Sequence, residues 1–474
     1  MLPEQVLLLL LIIVGASSFL SVKLDQAVVA TIILLIVVSA GGLWQTARLA
    51  VHLGDFRLQY LGYVWLLKIV LIIFVLFAGW IPELDPSSGS WGYDPQRYYV
   101  QAQELIDNNW SSKYISLNYT GVLYYYGAIF YLLGHNPVIP ALVNIFVTLM
   151  AVLYLVRVGY EITDRRTPKD WRIGLAMILP EVLWFDVMTS RESIMMALIT
   201  VMLLSAGRYL IREKKSSFYK TTLIVLLCGL AIGALRTSML ISVLGALSLM
   251  VAILRPPRKR RRSVGAIALF IVALGAFVSA PFVSAYLGSY EFDYGDKLAS
   301  ISQANLNIAG HQGVWREDSV GALLLPSNAF EAVLFTFPRM VAYLVSPLAI
   351  ELNISDLIQG GWTAWQRLLV SLSSMINIIV FPLVLASLFR AVMVRKKDSR
   401  ELVFHVPYWA TFFAIATGNM IIHDRYRIMA SLLLWGCVWI GLKNCPRYMI
   451  RNATVSWIFI LGAGVCFYIG YKYL

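Results

Sequence analysis

Apolar residues dominate long, uninterrupted stretches that recur from one end of the chain to the other. A helix needs about 17–25 consecutive apolar residues to cross the core of a lipid bilayer, and most of these stretches approach that length. They are continuous rather than alternating in polarity, which favours helices over the strands of a membrane barrel. The pattern predicts an all-α, polytopic integral membrane bundle of about 13 transmembrane helices. We place the spans at residues 4–22, 26–48, 61–81, 137–159, 173–189, 193–210, 221–235, 238–254, 264–287, 366–389, 406–422, 428–442 and 454–472.

Two further apolar stretches, residues 119–133 and 332–350, are not assigned as spans. The first follows a polar segment, and the second contains Pro338 and Pro347, which interrupt a helix. We expect each stretch to lie flat at the membrane interface or to enter the membrane as half a helix.

Basic residues gather in the short segments between spans and set the orientation of the chain. With the spans above, five basic clusters fall on one side, which is expected to be the cytoplasm. The N-terminus then lies in the cytoplasm, and two long segments, 82–136 and 288–366, lie on the outer side. This arrangement predicts a protein of the plasma membrane, such as a bacterial inner membrane, with its functional face outside. The clusters are Arg165 to Arg172, Arg212 to Lys220, Arg255 to Arg262, Arg390 to Arg400 and Lys443 to Arg451.

The spans form one membrane domain with an N-terminal addition. Residues 1–60 carry two extra helices, and residues 61–474 form the main domain. The first span has no basic region before it, since Pro3 and Glu4 open it. We therefore expect a retained helix rather than a removable signal.

Composition narrows the classes of protein that fit. Of 474 residues, 59% are hydrophobic and 14% are charged, whereas about 25% of the residues in a soluble domain are charged, so a soluble protein is excluded. The net charge of +13 lies mostly in the cytoplasmic segments, which the positive-inside rule explains without a nucleic-acid partner. The four cysteines form no CxxC pair or Cys/His cluster, so no disulfide framework, metal or cofactor is indicated.

Several basic residues break the bias against positive charge on the outer side. Charges near a bilayer usually face a polar cavity or a partner, because burying them in lipid is costly. Local ion pairs, such as Arg191 with Glu192, are the structural alternative. Because four separate segments place basic groups at one depth, we favour a shared site. The residues in question are Arg191 with its neighbour Glu192, Arg236, Arg339, His423, Arg425 and Arg427.

A cluster of guanidinium groups at a membrane surface suits a lipid-linked phosphate. Arginine offers a rigid fork of donors that matches phosphate oxygens. A phosphate at this depth with an apolar tail describes a polyprenyl-phosphate or polyprenyl-diphosphate sugar. The arginines would bind the phosphate and stabilise the charge that develops when it leaves.

The first outer segment offers an acid for such a reaction. Asp94 precedes Pro95 and lies among aromatic residues, including Tyr98, that suit stacking on sugars. We nominate Asp94 as a general base. An Asp before Pro is also a good helix cap, so a capping role is the alternative.

Three charged residues fall inside predicted spans. Asp186 lies near the outer end of the span 173–189 and could enter the site, whereas Glu181 is deeper and is expected to pair within the bundle. A proton relay through these two acids is a competing interpretation. Lys68 lies in the cytoplasmic half of its span, and we expect it to extend its amine to the interface.

Four motifs occur in an order that resembles a known superfamily. They are Asp94 followed by Tyr98-Tyr-Val-Gln-Ala102, the stretch YYYGAIFYLLGHNPVIPALVN at 124–144, Pro180 with Ser190-Arg191-Glu192, and His423-Asp-Arg425-Tyr-Arg427. Over residues 61–442 they resemble the type-C glycosyltransferase superfamily, particularly the bacterial branch similar to protein O-mannosyltransferases and lipid A aminoarabinose transferases.

This resemblance implies a glycosyltransferase with interfacial helices in its outer loops. The implied donor is a polyprenyl-phosphate-linked sugar and the acceptor a glycan, lipid or protein, with Asp94 as base and the arginines on the phosphate. The chain departs from the family pattern at Pro95, where many members have Glu, and at His423-Asp424, where a Glu is usual.

Two other functions fit part of the pattern. A polysaccharide polymerase or ligase of the O-antigen type shares the helix count, the long outer loops and the outer arginines, but it concentrates its essential residues in a late outer loop. A lipid or sugar transporter often carries an inverted repeat, and no repeat is visible here.

Overall fold

The structure is a computed structural model, and it describes residues 28–79, 81, 83, 94–111, 120–163, 170–212, 215–254, 335–345, 362–393, 401–418 and 424–473. Within these ranges the chain is helical and contains no strand, which confirms the all-α prediction. The predicted spans 4–22 and 264–287 lie outside the described residues.

The helices follow the apolar stretches of the sequence. Their bounds are α1 Val28–Leu53, α2 Tyr60–Phe77, α3 Asp94–Asp107, α4 Thr120–Leu133, α5 Val138–Thr163, α6 Pro180–Val187, α7 Glu192–Arg212, α8 Lys215–Leu235, α9 Thr237–Ile253, α10 Thr336–Val345, α11 Trp362–Met393, α12 Leu402–Gly418, α13 Asp424–Asn444 and α14 Arg447–Tyr473. Short 3₁₀ helices cover Phe56–Gln59 and Asp170–Ile178.

Six of the described helices are long and apolar enough to cross a membrane. These are α1, α2, α5, α7, α8 and α11, and each coincides with a predicted span. Large apolar side chains such as Ile379 and Phe459 remain exposed on the bundle surface, as expected where lipid surrounds the helices. The total of about 13 spans stays a prediction.

Helix α7 lies inside the bundle, where it packs on α5, α8 and α13. Helix α13 approaches α5 very closely, since a Cβ atom at Gly159 would lie 1.5 Å from the ring of Trp439. Only glycine leaves room for this contact. Around this centre, α12 packs on α9 and α13, and α11 packs on α13 and α14.

One predicted span, 173–189, is not a single helix, so that prediction is wrong. Its first half is the 3₁₀ helix Asp170–Ile178, and α6 restarts at Pro180 after Leu179, whose ψ of 132° is not helical. Proline lacks an N–H and disfavours the helical conformation in the residue before it, which explains the break. The break exposes the N–H of Glu181, which donates to Ser373 Oγ at 2.8 Å.

Helices also occupy the described parts of the two unassigned apolar stretches. Helix α4 has 14 residues, fewer than the roughly 17 needed to cross a bilayer, and α10 covers Thr336–Val345 of the second stretch. Helix α4 packs on α3, α5 and α8, and α10 packs on α11, α12 and α13.

Candidate functional site

Several predicted site residues, among them Tyr98, Arg191, Glu192 and Arg236, lie in turns and short helices at one end of the bundle, which we call the site end. There α2, α6, α8 and α12 finish, and α5, α7, α9 and α13 begin. The short helices α3 and α4 cover part of this end, and contacts between the turns, described below, hold it together.

The turn between α6 and α7, residues 188–191, is fixed from two sides. Tyr126 of α4 donates its hydroxyl to the carbonyl of Ser190 at 2.7 Å. Asn144 of α5 donates from Nδ2 to the carbonyl of Met188 at 2.8 Å. These bonds satisfy backbone carbonyls that the turn leaves without helical partners, and they set the position of Arg191.

Arg191 lies against residues of two predicted motifs. Its guanidinium carbon is 5.8 Å from the ring centroid of Tyr98 on α3, within the range of a cation–π contact. Its Nε lies 3.7 Å from Oε1 of Glu192. All three side chains are buried, so the fold brings α3 onto the α6–α7 turn.

Arg236 connects the turn between α8 and α9 to the motif at residues 423–427. It lies between α8 and α9, and its guanidinium carbon stacks 4.5 Å from the ring centroid of Tyr426 on α13. Tyr426 stands between Arg425 and Arg427 in the sequence, so this contact brings the second tight turn to the His423–Arg427 motif.

Helix α4 connects the two turns. Near its start, α4 carries Gly121, where an added Cβ would lie 2.1 Å from the carbonyl oxygen of Ala234. Helix α4 therefore contacts the backbone at the end of α8 directly, beside Arg236. Five residues later Tyr126 bonds to Ser190. Five residues of helix rise about 7.5 Å, so both arginine-bearing turns lie along one short length of α4.

Arg427 is engaged by a carboxylate inside the bundle. Its Nε donates to Glu181 Oε2 at 2.9 Å, and its Nη1 donates to the Tyr343 carbonyl at 3.0 Å and to Ser374 Oγ at 2.9 Å. Ser431 donates a further hydrogen bond to Glu181. Glu181 therefore pairs within the bundle, as the sequence predicts, and its partner is one of the arginines nominated for phosphate.

Asp186 belongs to a second buried pair. Lys68 Nζ contacts Asp186 Oδ2, and Thr148 donates to Asp186 Oδ1 at 2.8 Å. Lys68 and Asp186 are completely buried, so the expectation that Lys68 extends to the interface is wrong. The pair joins α2, α5 and α6.

Arg339 on α10 has a very different environment. It is 0% exposed, yet its Nε, Nη1 and Nη2 form no hydrogen bond with any residue that the structure describes. It lies one helical turn before Tyr343, whose carbonyl accepts from Arg427. A buried guanidinium without hydrogen-bond acceptors is costly, so Arg339 differs sharply from Arg427, whose donors meet a carboxylate, a hydroxyl and a carbonyl.

For the remaining nominated residues, Asp94, Arg425 and His423, the structure gives the position in the chain and few contacts. Asp94 is the first residue of α3 and is half-buried; a carboxylate there also complements the helix dipole, so both of its proposed roles stay open. Arg425 is the second residue of α13, and His423 lies outside the described residues.

Sequence reasoning missed Glu83, which lies just beyond the end of α2. Its Oε1 accepts a hydrogen bond from the Thr189 N–H at 2.5 Å, in the same turn that carries Arg191. Burial raises the pKa of the Glu83 carboxyl above its ordinary value. A single Glu at the edge of an apolar span resembles an ordinary interfacial charge, so only its contact with a residue 106 positions away distinguishes it.

An aromatic group flanks this part of the site end. His135 stacks on Tyr99 with ring centroids 4.0 Å apart, and burial lowers the pKa of the imidazole. Burial, assisted by the charge of Glu83, raises the pKa of Tyr99. Among the described residues no group of three or more His, Cys, Asp or Glu side chains is arranged to hold a metal ion.

No protein-family model matches this chain, and neither a curated protein nor a solved structure matches it.

Proposed function

We propose that the protein is a membrane glycosyltransferase that moves a sugar from a polyprenyl-phosphate-linked donor to an acceptor on the outer face of a plasma membrane. The observation that carries the proposal is Arg339, whose guanidinium is fully buried and has no hydrogen-bond partner among the described residues. Such a group favours an anionic ligand, and a donor with a phosphate and an apolar tail supplies one at membrane depth.

Two further arginines support a phosphate-binding role for the site end. Arg191 and Arg236 are buried in adjacent turns, and both turns contact α4. Each guanidinium rests on an aromatic ring, and this contact helps to fix its position. Arg427 is assigned a structural role, because Glu181, Ser374 and Tyr343 already accept its hydrogen bonds.

The proposed reaction is a displacement at the anomeric carbon. The acceptor hydroxyl attacks that carbon while a carboxylate from the segment after α2 takes its proton; the sequence nominates Asp94 for this step. The bond to the phosphate oxygen breaks, and the arginines stabilise the lipid phosphate as it leaves. The partners are the lipid-linked donor, a glycan, lipid or protein acceptor and the surrounding membrane lipids.

A transporter for a lipid-linked sugar is a second candidate, favoured by one observation. Helix α6 restarts inside a predicted span and carries two buried acids, as the broken helices of transporters often do. Both acids are ion-paired and hydrogen-bonded, however, which suits a structural role.

The test uses membranes that contain the full chain and synthetic polyprenyl-phosphate sugars, hexose or pentose, labelled in the sugar. We expect the label to move from the lipid into water-soluble or protein-bound product, and Arg339→Gln to abolish that transfer. Arg367→Gln, on an exposed residue of α11, is the control and should retain it. Label that crosses the membrane while still attached to the lipid would instead identify a transporter.

A further inference from the structure

Glu83 stands where the end of α2 meets the turn before α7. Its carboxyl accepts a hydrogen bond from the N–H of Thr189. Thr189 precedes Arg191 by two residues in the same turn. The segment that carries Glu83 is therefore attached to the same turn that positions an arginine of the proposed phosphate site. The contact spans 106 residues of sequence, so the fold as a whole creates it.

The two oxygens of this carboxyl differ. Oε1 accepts the hydrogen bond from Thr189, whereas Oε2 is buried and bonds to no group in the described part of the chain. A buried carboxyl oxygen without a partner is costly for a structural residue. It is suited to a ligand that brings its own hydrogen-bond donor, such as a hydroxyl group.

The surroundings shift the pKa of the carboxyl in the direction that suits a base. Burial opposes the charged form, the hydrogen bond from Thr189 favours it, and the net effect raises the pKa of Glu83. Among the described residues, Tyr99 on α3 and Tyr126 on α4 interact electrostatically with Glu83, and Glu192 at the start of α7 shares the electrostatic environment of Tyr126. A general base works best when its pKa approaches the operating pH.

We propose that Glu83 is the catalytic residue that takes the proton from the acceptor hydroxyl. The inference rests on the proposed glycosyl transfer and names a different carboxyl from the one that the sequence nominates. Asp94, at the first position of α3, then serves to stabilise the start of that helix, which packs on α4.

The step balances without any further reactant. The acceptor oxygen forms a bond to the anomeric carbon, and its proton passes to Oε2 of Glu83. The bond between the anomeric carbon and the phosphate oxygen breaks, and its electron pair remains on the lipid phosphate beside the arginines. Glu83 returns the proton to water after the product leaves.

The experiment compares Glu83→Gln, Glu83→Asp and Asp94→Asn in the full-length protein, using the labelled-donor assay over a range of pH. Gln keeps an oxygen that accepts from the Thr189 N–H, so the turn should hold its place. We expect Glu83→Gln to lower the transfer rate about 10²–10⁴-fold while a polyprenyl phosphate still binds. Glu104→Gln on the exposed face of α3 is the matched control.

The pH profile separates catalysis from structure. A base is active when ionised, so the wild-type rate should rise as pH passes through the raised pKa of Glu83, above the range of an ordinary carboxyl group. This rise of the rate with pH should move to a different pH in Glu83→Asp and should be absent from the residual rate of Glu83→Gln. It should persist in Asp94→Asn. If Glu83→Gln does not fold, the pH shift in Glu83→Asp provides the test.

The outcomes distinguish the two proposals. Transfer by wild type together with near-normal transfer and an unchanged pH limb in Glu83→Gln would overturn the role of Glu83 and leave the glycosyltransferase standing. A limb that disappears in Asp94→Asn instead would reassign the base to Asp94. Absence of transfer by wild type with every donor would overturn both proposals together.

Discussion

At the scale of single residues, two buried arginines, Arg427 and Arg339, have opposite environments. Arg427 donates to a carboxylate, a hydroxyl and a carbonyl, whereas Arg339 has no hydrogen-bond partner in the described ranges. Both are almost completely buried. A buried arginine that donates to several acceptors stabilises the fold, whereas a buried arginine without hydrogen-bond acceptors destabilises it, and we propose that Arg339 is kept for a ligand.

Removing Arg427 should therefore destabilise the protein. Arg427→Met leaves Glu181 as an unpaired buried carboxylate, and breaking such a pair costs about 3–5 kcal/mol of unfolding free energy. Adding Glu181→Gln should recover part of the loss. Denaturant unfolding in detergent measures the stability of the single and the double variant. Arg208→Met, which breaks a partly exposed pair with Glu161, is the control and should cost less than about 1 kcal/mol.

Removing Arg339 should have the opposite effect on the lipid-free protein. Arg339→Met replaces an uncompensated charge with an apolar side chain of similar length, so we expect stabilisation on the order of 1–3 kcal/mol. Added polyprenyl phosphate should raise the unfolding temperature of wild type, because a ligand that binds only the folded state stabilises it, and should not raise that of the variant. A destabilised Arg339→Met would show that the guanidinium has a structural partner.

At the scale of helices, α4 organises the site by resting on two turns at once. Its close approach to α8 depends on Gly121, where even a Cβ atom would meet the backbone of Ala234. Its bond to the α6–α7 turn depends on Tyr126. A displaced α4 would therefore separate the turns that carry Arg191 and Arg236.

Gly121→Val should reduce sugar transfer at least about 10²-fold, since a misplacement of about 1 Å at a reacting centre has effects of that size. The variant should retain most of its thermal stability, because the central helices are not altered. The control is Gly245→Ala on α9, where an added Cβ meets nothing within 4 Å. Equal transfer rates in wild type and Gly121→Val would exclude a positioning role for α4.

Helix type and approximate bounds follow from the apolar pattern, whereas contacts between distant segments do not. The stretches that become α2, α5 and α7 are long and uniformly apolar, so the sequence predicts them well. The pairs Lys68–Asp186 and Arg427–Glu181 join residues 118 and 246 positions apart, and no local pattern encodes such pairing. Lys68 was misassigned for that reason, and Glu83 was missed because its significance depends on the same kind of contact.

At the scale of the whole molecule, the orientation in the membrane is a separate prediction from the fold. The basic clusters place the loop with Asn109, which follows α3 and is exposed, outside the cell and Lys397 inside. In a cysteine-free background, a Cys at position 109 should react with a membrane-impermeant thiol reagent on intact cells, and a Cys at 397 should react only after lysis. The reverse pattern would invert the topology and move the site end to the cytoplasm.

The central claim is that the site end binds a lipid-linked phosphate through its buried arginines. The most direct measurement is an experimental structure of the full chain in lipid nanodiscs with a polyprenyl phosphate. We predict phosphate density within hydrogen-bonding distance of the Arg339 guanidinium, with Arg191 or Arg236 directed at the same phosphate. A carboxylate of the chain bound to Arg339, with the phosphate elsewhere, would contradict the account.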